Sequence, residues 1–222
     1  LLEEAVKRNL ADGILLSGGL DTSILAATAS RLVPLKAFTV ALQGAPAPDV
    51  KYATLMANNL RLRHIIHHFD RSELNDAIHR VVELMESFDP MEVRNSVMIY
   101  IGLRRARGEG VSTIMTGDGC DELFAGYSFL FDVEKERIDS ELRKLWSTMT
   151  FSSNHLARAL GVEAKLPYLD PDLRSFAMGL DSQYKIRDER GRRWGKWILR
   201  KAFEGFLPEE VVWRVKAPIE EG

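Results

Sequence analysis

Little in this chain marks it as secreted, membrane-bound or drawn to polyanions. One cysteine, Cys120, stands among 222 residues, so no internal disulfide can form and a reducing, cytoplasmic setting is expected. No apolar run approaches the roughly 18 residues of a membrane span, and no charged-apolar-small leader opens the chain, so no membrane contact is expected. The 30 basic and 32 acidic residues leave a net charge of −2, which supplies no global field for nucleic acid. G-x-x-x-x-G-K-[ST] and G-x-G-x-x-G are both absent, which removes the phosphate loop with its own lysine and the dinucleotide fingerprint. There is no internal repeat and no low-complexity segment.

What is present is organised around Leu15-Leu16-Ser17-Gly18-Gly19-Leu20-Asp21-Thr22-Ser23. A short apolar strand, 13–16, runs into a Ser-Gly-Gly loop and then into a helix over 21–31. Adjacent glycines let the backbone approach a ligand and turn its N–H groups inward, and the helix start adds partial positive charge, so the stretch reads as an anion cradle. Ser17 and Ser23 offer hydroxyls to phosphate oxygens. Asp21 would repel a bare phosphate and makes sense there only if it holds a cation such as Mg2+.

Further apolar runs at 35–40, 64–69 and 111–115 alternate with helical patterns at 50–59, 70–88 and 93–107, which predicts an α/β fold: a Rossmann-like parallel sheet with helices on both faces. Helices over 133–151, 154–160 and 172–180, with no strand between them, make the second half mostly helical. We expect an α/β core over 1–130 and a helical part over 131–222 that packs on it and completes the site. At this length one sizeable core is available. His64, His67, His68 and His79 cluster, but His67 and His68 alternate faces on a strand and no cysteine joins them, so zinc is not expected. Arg104, Arg105 and Arg107 suit the end of a helix dipole rather than a nucleic-acid patch.

A second constellation, Thr116-Gly-Asp-Gly-Cys-Asp-Glu-Leu-Phe-Ala-Gly-Tyr127, leaves the end of the 111–115 strand. Ligands of open parallel sheets bind at strand carboxyl ends, so Asp21 and Asp121 should meet above one sheet edge as a pair of Mg2+ ligands.

The first loop resembles the pyrophosphate loop of the N-type ATP pyrophosphatases, which cleave ATP between its α and β phosphates. With the second constellation, Gly161-Val-Glu-Ala-Lys-Leu-Pro-Tyr-Leu-Asp170, Trp194-Gly-Lys-Trp-Ile-Leu-Arg200 and the 207–216 tail, the chain resembles the synthetase domain of asparagine synthetase from about residue 13 to 216. The resemblance implies ATP and Mg2+ as cofactors, with aspartate and ammonia as substrates. Leu16, Val40, Thr116 and Gly117 match positions that hold adenosine. Ser17, Gly18, Gly19, Asp21 and Ser23 match the pyrophosphate loop, and Asp21 and Asp121 the metal ligands. Lys196 and Lys216 match basic residues on the phosphates and the intermediate, and Arg94 an arginine facing the reacting phosphoryl group. Asp118 takes the place of a family glutamate important for forming the acyl-adenylate and for its amidation, and is shorter by one methylene, roughly 1.5 Å. Met91 stands in place of a threonine, and Cys120 in place of a serine, where a small buried filler is expected.

The family's glutaminase domain and its N-terminal cysteine are not seen. The expectation is that the chain uses free ammonia or receives it from a separate glutaminase subunit, that the sequence is a fragment or a set of ordered residues, and that self-association stays open. The leading reading is AMP-forming, ammonia-dependent asparagine synthesis. The alternatives are a β-lactam-synthetase-like enzyme with another acid or an internal amine, and a non-catalytic ATP-binding regulatory module. A tRNA-modifying enzyme with the same loop fits less well, given the charge balance and the single cysteine.

Overall fold

The computed structural model describes residues 1–215. In chain order it runs α1 (Leu2–Arg8), β1 (Gly13–Leu15), α2 (Leu20–Ala29), β2 (Lys36–Leu42), α3 (Pro48–Leu60), β3 (Arg63–Phe69), α4 (Arg71–Met85), α5 (Pro90–Gly108), β4 (Thr113–Met115) and α6 (Cys120–Phe124). It continues with α7 (Lys135–Thr148), α8 (Ser152–Ala159), β5 (Glu163–Lys165), α9 (Pro171–Gly179), β6 (Arg187–Glu189), β7 (Arg192–Trp194), α10 (Trp197–Phe203) and α11 (Glu209–Val212).

Five strands form one sheet in the order β3-β2-β1-β4-β5, every neighbouring pair parallel. The alternation of side chains along a strand divides the interior in two. Ile14 and Ala37 face a core shared with α1, α2 and α3, while Leu15 and Phe38 face one shared with α4, α5 and α8. On that second face, α5 lies so close that a Cβ on Gly102 would sit 2.8 Å from Leu15 Cδ2. The chain moves outward from β1 to β2 and β3, then returns to β4 on the other side of β1. That reversal makes the carboxyl edge between β1 and β4 the crevice of the sheet, because the loops leaving the two strands diverge there.

The parallel sheet stands as the sequence pattern predicts, with differences of local cause. The 70–88 helix stops at Met85 because Glu86 adopts a left-handed conformation. The next helix starts at Pro90, with the Asp89 carboxylate accepting from the amides of Met91 and Glu92 at 2.9 Å. The second half is not free of strands. Glu163–Lys165 pairs with β4, and β6 and β7 form an antiparallel hairpin whose turn, Arg190-Gly191, has positive φ at both residues. α1 was not expected, and its Arg8 makes a two-pronged contact with Asp170, 2.8 and 2.7 Å.

His64 bonds to Thr39 Oγ1 and His67 to Glu73, each at 2.8 Å. Among the described residues no helix is long and apolar enough to cross a membrane.

Candidate active site

At the end of β1, the Leu16 N–H donates to Phe38 O at 2.8 Å, and its carbonyl accepts from Thr39 Oγ1 at 2.6 Å, so the strand is anchored up to the residue before the turn. Gly18 has φ +68°, and a Cβ there would lie 2.3 Å from the Ala53 amide nitrogen. Only glycine satisfies both constraints. Ser17 is exposed at the lip; its Oγ accepts the Gly19 N–H at 3.3 Å, and Thr22 Oγ1 accepts the Ser17 N–H at 3.3 Å. Gly19 is the cap residue just before α2, and among the described residues no side chain caps the helix, which leaves its start facing the crevice. Ser23 is fully buried one turn into α2, and its hydroxyl has no partner among the described residues.

The second loop leaves β4 with the Thr116 N–H donating to Lys165 O at 3.1 Å. The two loops touch: a Cβ on Gly117 would lie 3.3 Å from Thr22 Cγ2 and 3.4 Å from Asp21 Cβ. Cys120 Sγ donates to Asp21 Oδ1 at 3.2 Å, and Tyr168 donates its hydroxyl to Asp21 O at 3.1 Å. Burial, reinforced by the charge of Asp21, pushes the Cys120 thiol well above its usual pKa, so it is a packed neutral group rather than a thiolate.

Lys196 arrives from the far end of the chain. It is 4% exposed, and its Nζ lies 2.5 Å from Asp21 Oδ2 and 2.8 Å from Asp121 Oδ1. Burial works against its charge, but the two aspartates outweigh burial and hold its pKa above the ordinary lysine value. The residue sits in the left-handed region (φ 55°) just before α10, its N–H bonded to Phe124 O at 2.8 Å. Two glycines make this approach possible. A Cβ on Gly195 would lie 2.0 Å from Ala125 O, and one on Gly126 would lie 1.8 Å from Asp121 Oδ1 and 2.3 Å from Lys196 Cε.

Asp118 lies beside the hydroxyls of Thr116 and Ser153, which favour its charged form; burial outweighs them and raises its pKa. Among the described residues, Asp118 Oδ2, Thr116 Oγ1 and Ser153 Oγ each lack a partner in hydrogen-bonding geometry.

The structure thus gathers Leu16, Ser17, Gly18, Gly19, Asp21, Thr116, Gly117, Asp121 and Lys196 about one crevice, with Asp118 on the same loop as Thr116 and Gly117 but buried beside Thr116 and Ser153. Val40 lies on β2, on the α5 side of the sheet. Arg94 is an exposed residue of α5, eight positions before Gly102 and so about 12 Å farther along the helix, beyond the carboxyl edge. Met91 is 64% exposed. Lys216 lies outside the described residues. Ser153 beside Asp118, Tyr168 on Asp21, Thr22 and Arg214 also take part, and the sequence assigns none of them a role. Thr22 braces Ser17, and Arg214 reaches Ser17 O at 3.5 Å while pairing with Asp49 and lying 4.0 Å over the Tyr52 ring. The only signal for Arg214 was its place two residues before Lys216.

Comparison with known proteins agrees with the motifs. The asparagine synthase family model matches residues 1–150 and 139–222. An asparagine synthetase [glutamine-hydrolyzing] of Zea mays is 32% identical, covering 100% of this chain and 42% of its own length. Asparagine synthetase B [glutamine-hydrolyzing] of Escherichia coli K12 is 34% identical, covering 100% and 44%. The chain therefore spans less than half the length of these relatives. Among solved structures, NMN synthetase from Francisella tularensis matches with a TM-score of 0.40 and 15% identity, over 98% of this chain and 94% of its own; that likeness has no bearing on function. By the family model and by relatives aligned along all of it, the chain belongs to the asparagine synthase family.

Proposed function

We propose that this chain carries the ATP-dependent half of asparagine synthesis: the side-chain carboxylate of aspartate attacks the α-phosphorus of ATP, pyrophosphate leaves, and ammonia displaces AMP from the acyl-adenylate. The observation that supports this best is the convergence of Asp21 and Asp121 on a single cationic nitrogen beside the serine-glycine loop. Two carboxylates from neighbouring loops make an all-oxygen donor pair suited to Mg2+, with remaining positions for phosphate oxygens and water. Mg2+ held there would neutralise phosphate charge during the displacement.

The chain's own residues divide the remaining work. The α2 start, Gly18, Gly19 and the Ser17 and Ser23 hydroxyls receive the pyrophosphate portion. Leu16, Val40, Thr116 and Gly117 border the adenosine. Arg94, Lys196 and Lys216 oppose the negative charge that the attacking carboxylate must approach. Asp118 takes a proton from the attacking amine, and its raised proton affinity fits a base working nearer neutrality than an exposed aspartate. The buried, protonated Cys120 is unsuited to glutamine hydrolysis, so the residues of this chain use ammonia as such, in the cytoplasm, whether it arrives from solution or from a glutaminase outside these residues. Aspartate-dependent exchange of labelled pyrophosphate into ATP tests the adenylation. Exchange that needs aspartate and Mg2+ is expected; no exchange with aspartate contradicts that substrate, and none with any carboxylic acid contradicts the reaction class.

A further inference from the structure

Lys196 does not simply line the crevice. Its nitrogen touches both carboxylates assigned to the metal, and the pocket around it is shaped to its stem: a Cβ on Gly126 would lie 2.3 Å from Lys196 Cε. We propose that in the nucleotide-free protein Lys196 occupies the place that the divalent cation takes in the loaded one, so that the metal enters only together with the triphosphate. This rests on Asp21 and Asp121 being the metal's ligands.

Mg2+ binds carboxylate oxygens at about 2.0–2.1 Å. An ammonium nitrogen at 2.5 and 2.8 Å from Asp21 Oδ2 and Asp121 Oδ1 leaves no position bridging the same two oxygens that is not within a few ångströms of a second positive charge. One cation must leave before the other arrives. If the metal came alone, the displaced ammonium, 4% exposed, would lose both counter-charges while still inside the protein, which is strongly unfavourable. A triphosphate removes that obstacle, because its oxygens offer the swung lysine new acceptors in the same crevice. The backbone need not move for this. The Lys196 N–H is held by Phe124 O, and Gly195 is packed against Ala125 O, so rotation within the four-carbon stem suffices. Nucleotide and metal are therefore coupled through one side chain, each raising the affinity for the other.

The test measures Mn2+ binding by electron paramagnetic resonance, without nucleotide, on the wild-type chain and on Lys196→Met. The wild type is expected to bind Mn2+ weakly, and Lys196→Met at least about tenfold more tightly. Adding Asp121→Asn to Lys196→Met should abolish the gain, which places the ion between the two aspartates. In thermal unfolding, Lys196→Met should melt lower than wild type in chelator and recover with Mg2+, because ligand bound to the folded state alone stabilises it. Should Lys196→Met fail to fold, Lys196→Gln replaces it. Tight Mn2+ binding by the wild type without nucleotide overturns the proposal, as does a variant that binds no more tightly than wild type. These nucleotide-free results do not depend on turnover, so failure of asparagine synthesis and failure of the lysine exchange are read separately.

Discussion

Loop 17–23 and segment 185–200 both deliver a charged group to the same point, but they are built by different means. The loop is local: a strand anchored through Leu16, one glycine forced by its φ and by Ala53, and a helix start left uncapped. Segment 185–200 holds its shape through distant partners. Arg200, 7% exposed, donates from Nε to Gly195 O at 2.9 Å and from Nη1 to Val212 O, and lies 4.6 Å over the Trp194 ring. Burial lowers its pKa to about 10, a measure of how far from water this brace sits. A local site should thus fail by losing one backbone conformation, and the distant one by losing a brace far from the lysine it aims.

The largest effect is expected from Gly18→Ala. The added methyl meets the backbone at Ala53 and the left-handed φ strains any other residue, so the variant should lose several kcal/mol of stability, about 3 or more, in urea unfolding and lose nucleotide binding with it. Next comes Arg200→Ala, which strands the buried carbonyls of Gly195 and Val212; a loss of about 2–4 kcal/mol is expected, together with weaker nucleotide binding, although among the described residues Arg200 hydrogen-bonds to backbone alone. If Arg200→Ala lowers stability but leaves nucleotide affinity intact, the brace does not aim Lys196 and the contrast between the two regions fails.

Asp118 sharpens the comparison from the chemistry side. Because its folded pKa is raised, the fold favours the neutral carboxyl. That contribution is fully present below the unfolded carboxylate pKa and is lost as pH rises through the folded value. Asp118→Asn should therefore melt above wild type near neutral pH, with an advantage that disappears in acid, while asparagine formation falls. A melting difference independent of pH would contradict this. The smallest effect is expected from Arg8→Ala. Its two-pronged pair with Asp170 is half open to water on the arginine side (46% exposed side chain), but the Asp170 side chain is 4% exposed and keeps the Asp172 amide as a donor, so a loss of about 1–2 kcal/mol in urea unfolding is expected, with nucleotide binding unchanged.

The same contrast explains what could be read from the sequence. Ser17-Gly18-Gly19 between an apolar strand and a helix, and Thr116-Gly117 after β4, announce themselves because each is a few adjacent residues with one backbone solution. β5 was missed because Glu163-Ala-Lys165 carries two charges in three residues and is a strand only by pairing with β4. The β6–β7 hairpin was missed for the same reason, its strands being Arg187-Asp-Glu189 and Arg192-Arg-Trp194. Lys196 was named through family resemblance alone. Its seat depends on Gly126, Gly195 and Phe124 O meeting in space, which no local pattern encodes.

The central claim is that Asp21 and Asp121 jointly hold the metal of an ATP cleaved between its α and β phosphates. Chromatographic quantification of products from ATP, Mg2+, aspartate and ammonium, on wild type and on Asp21→Asn and Asp121→Asn, tests it most directly. AMP, pyrophosphate and asparagine in equal amounts from the wild type, each falling by about 100-fold or more in both variants, is the predicted result. ADP and orthophosphate from the wild type, or full AMP formation in either variant, would contradict it.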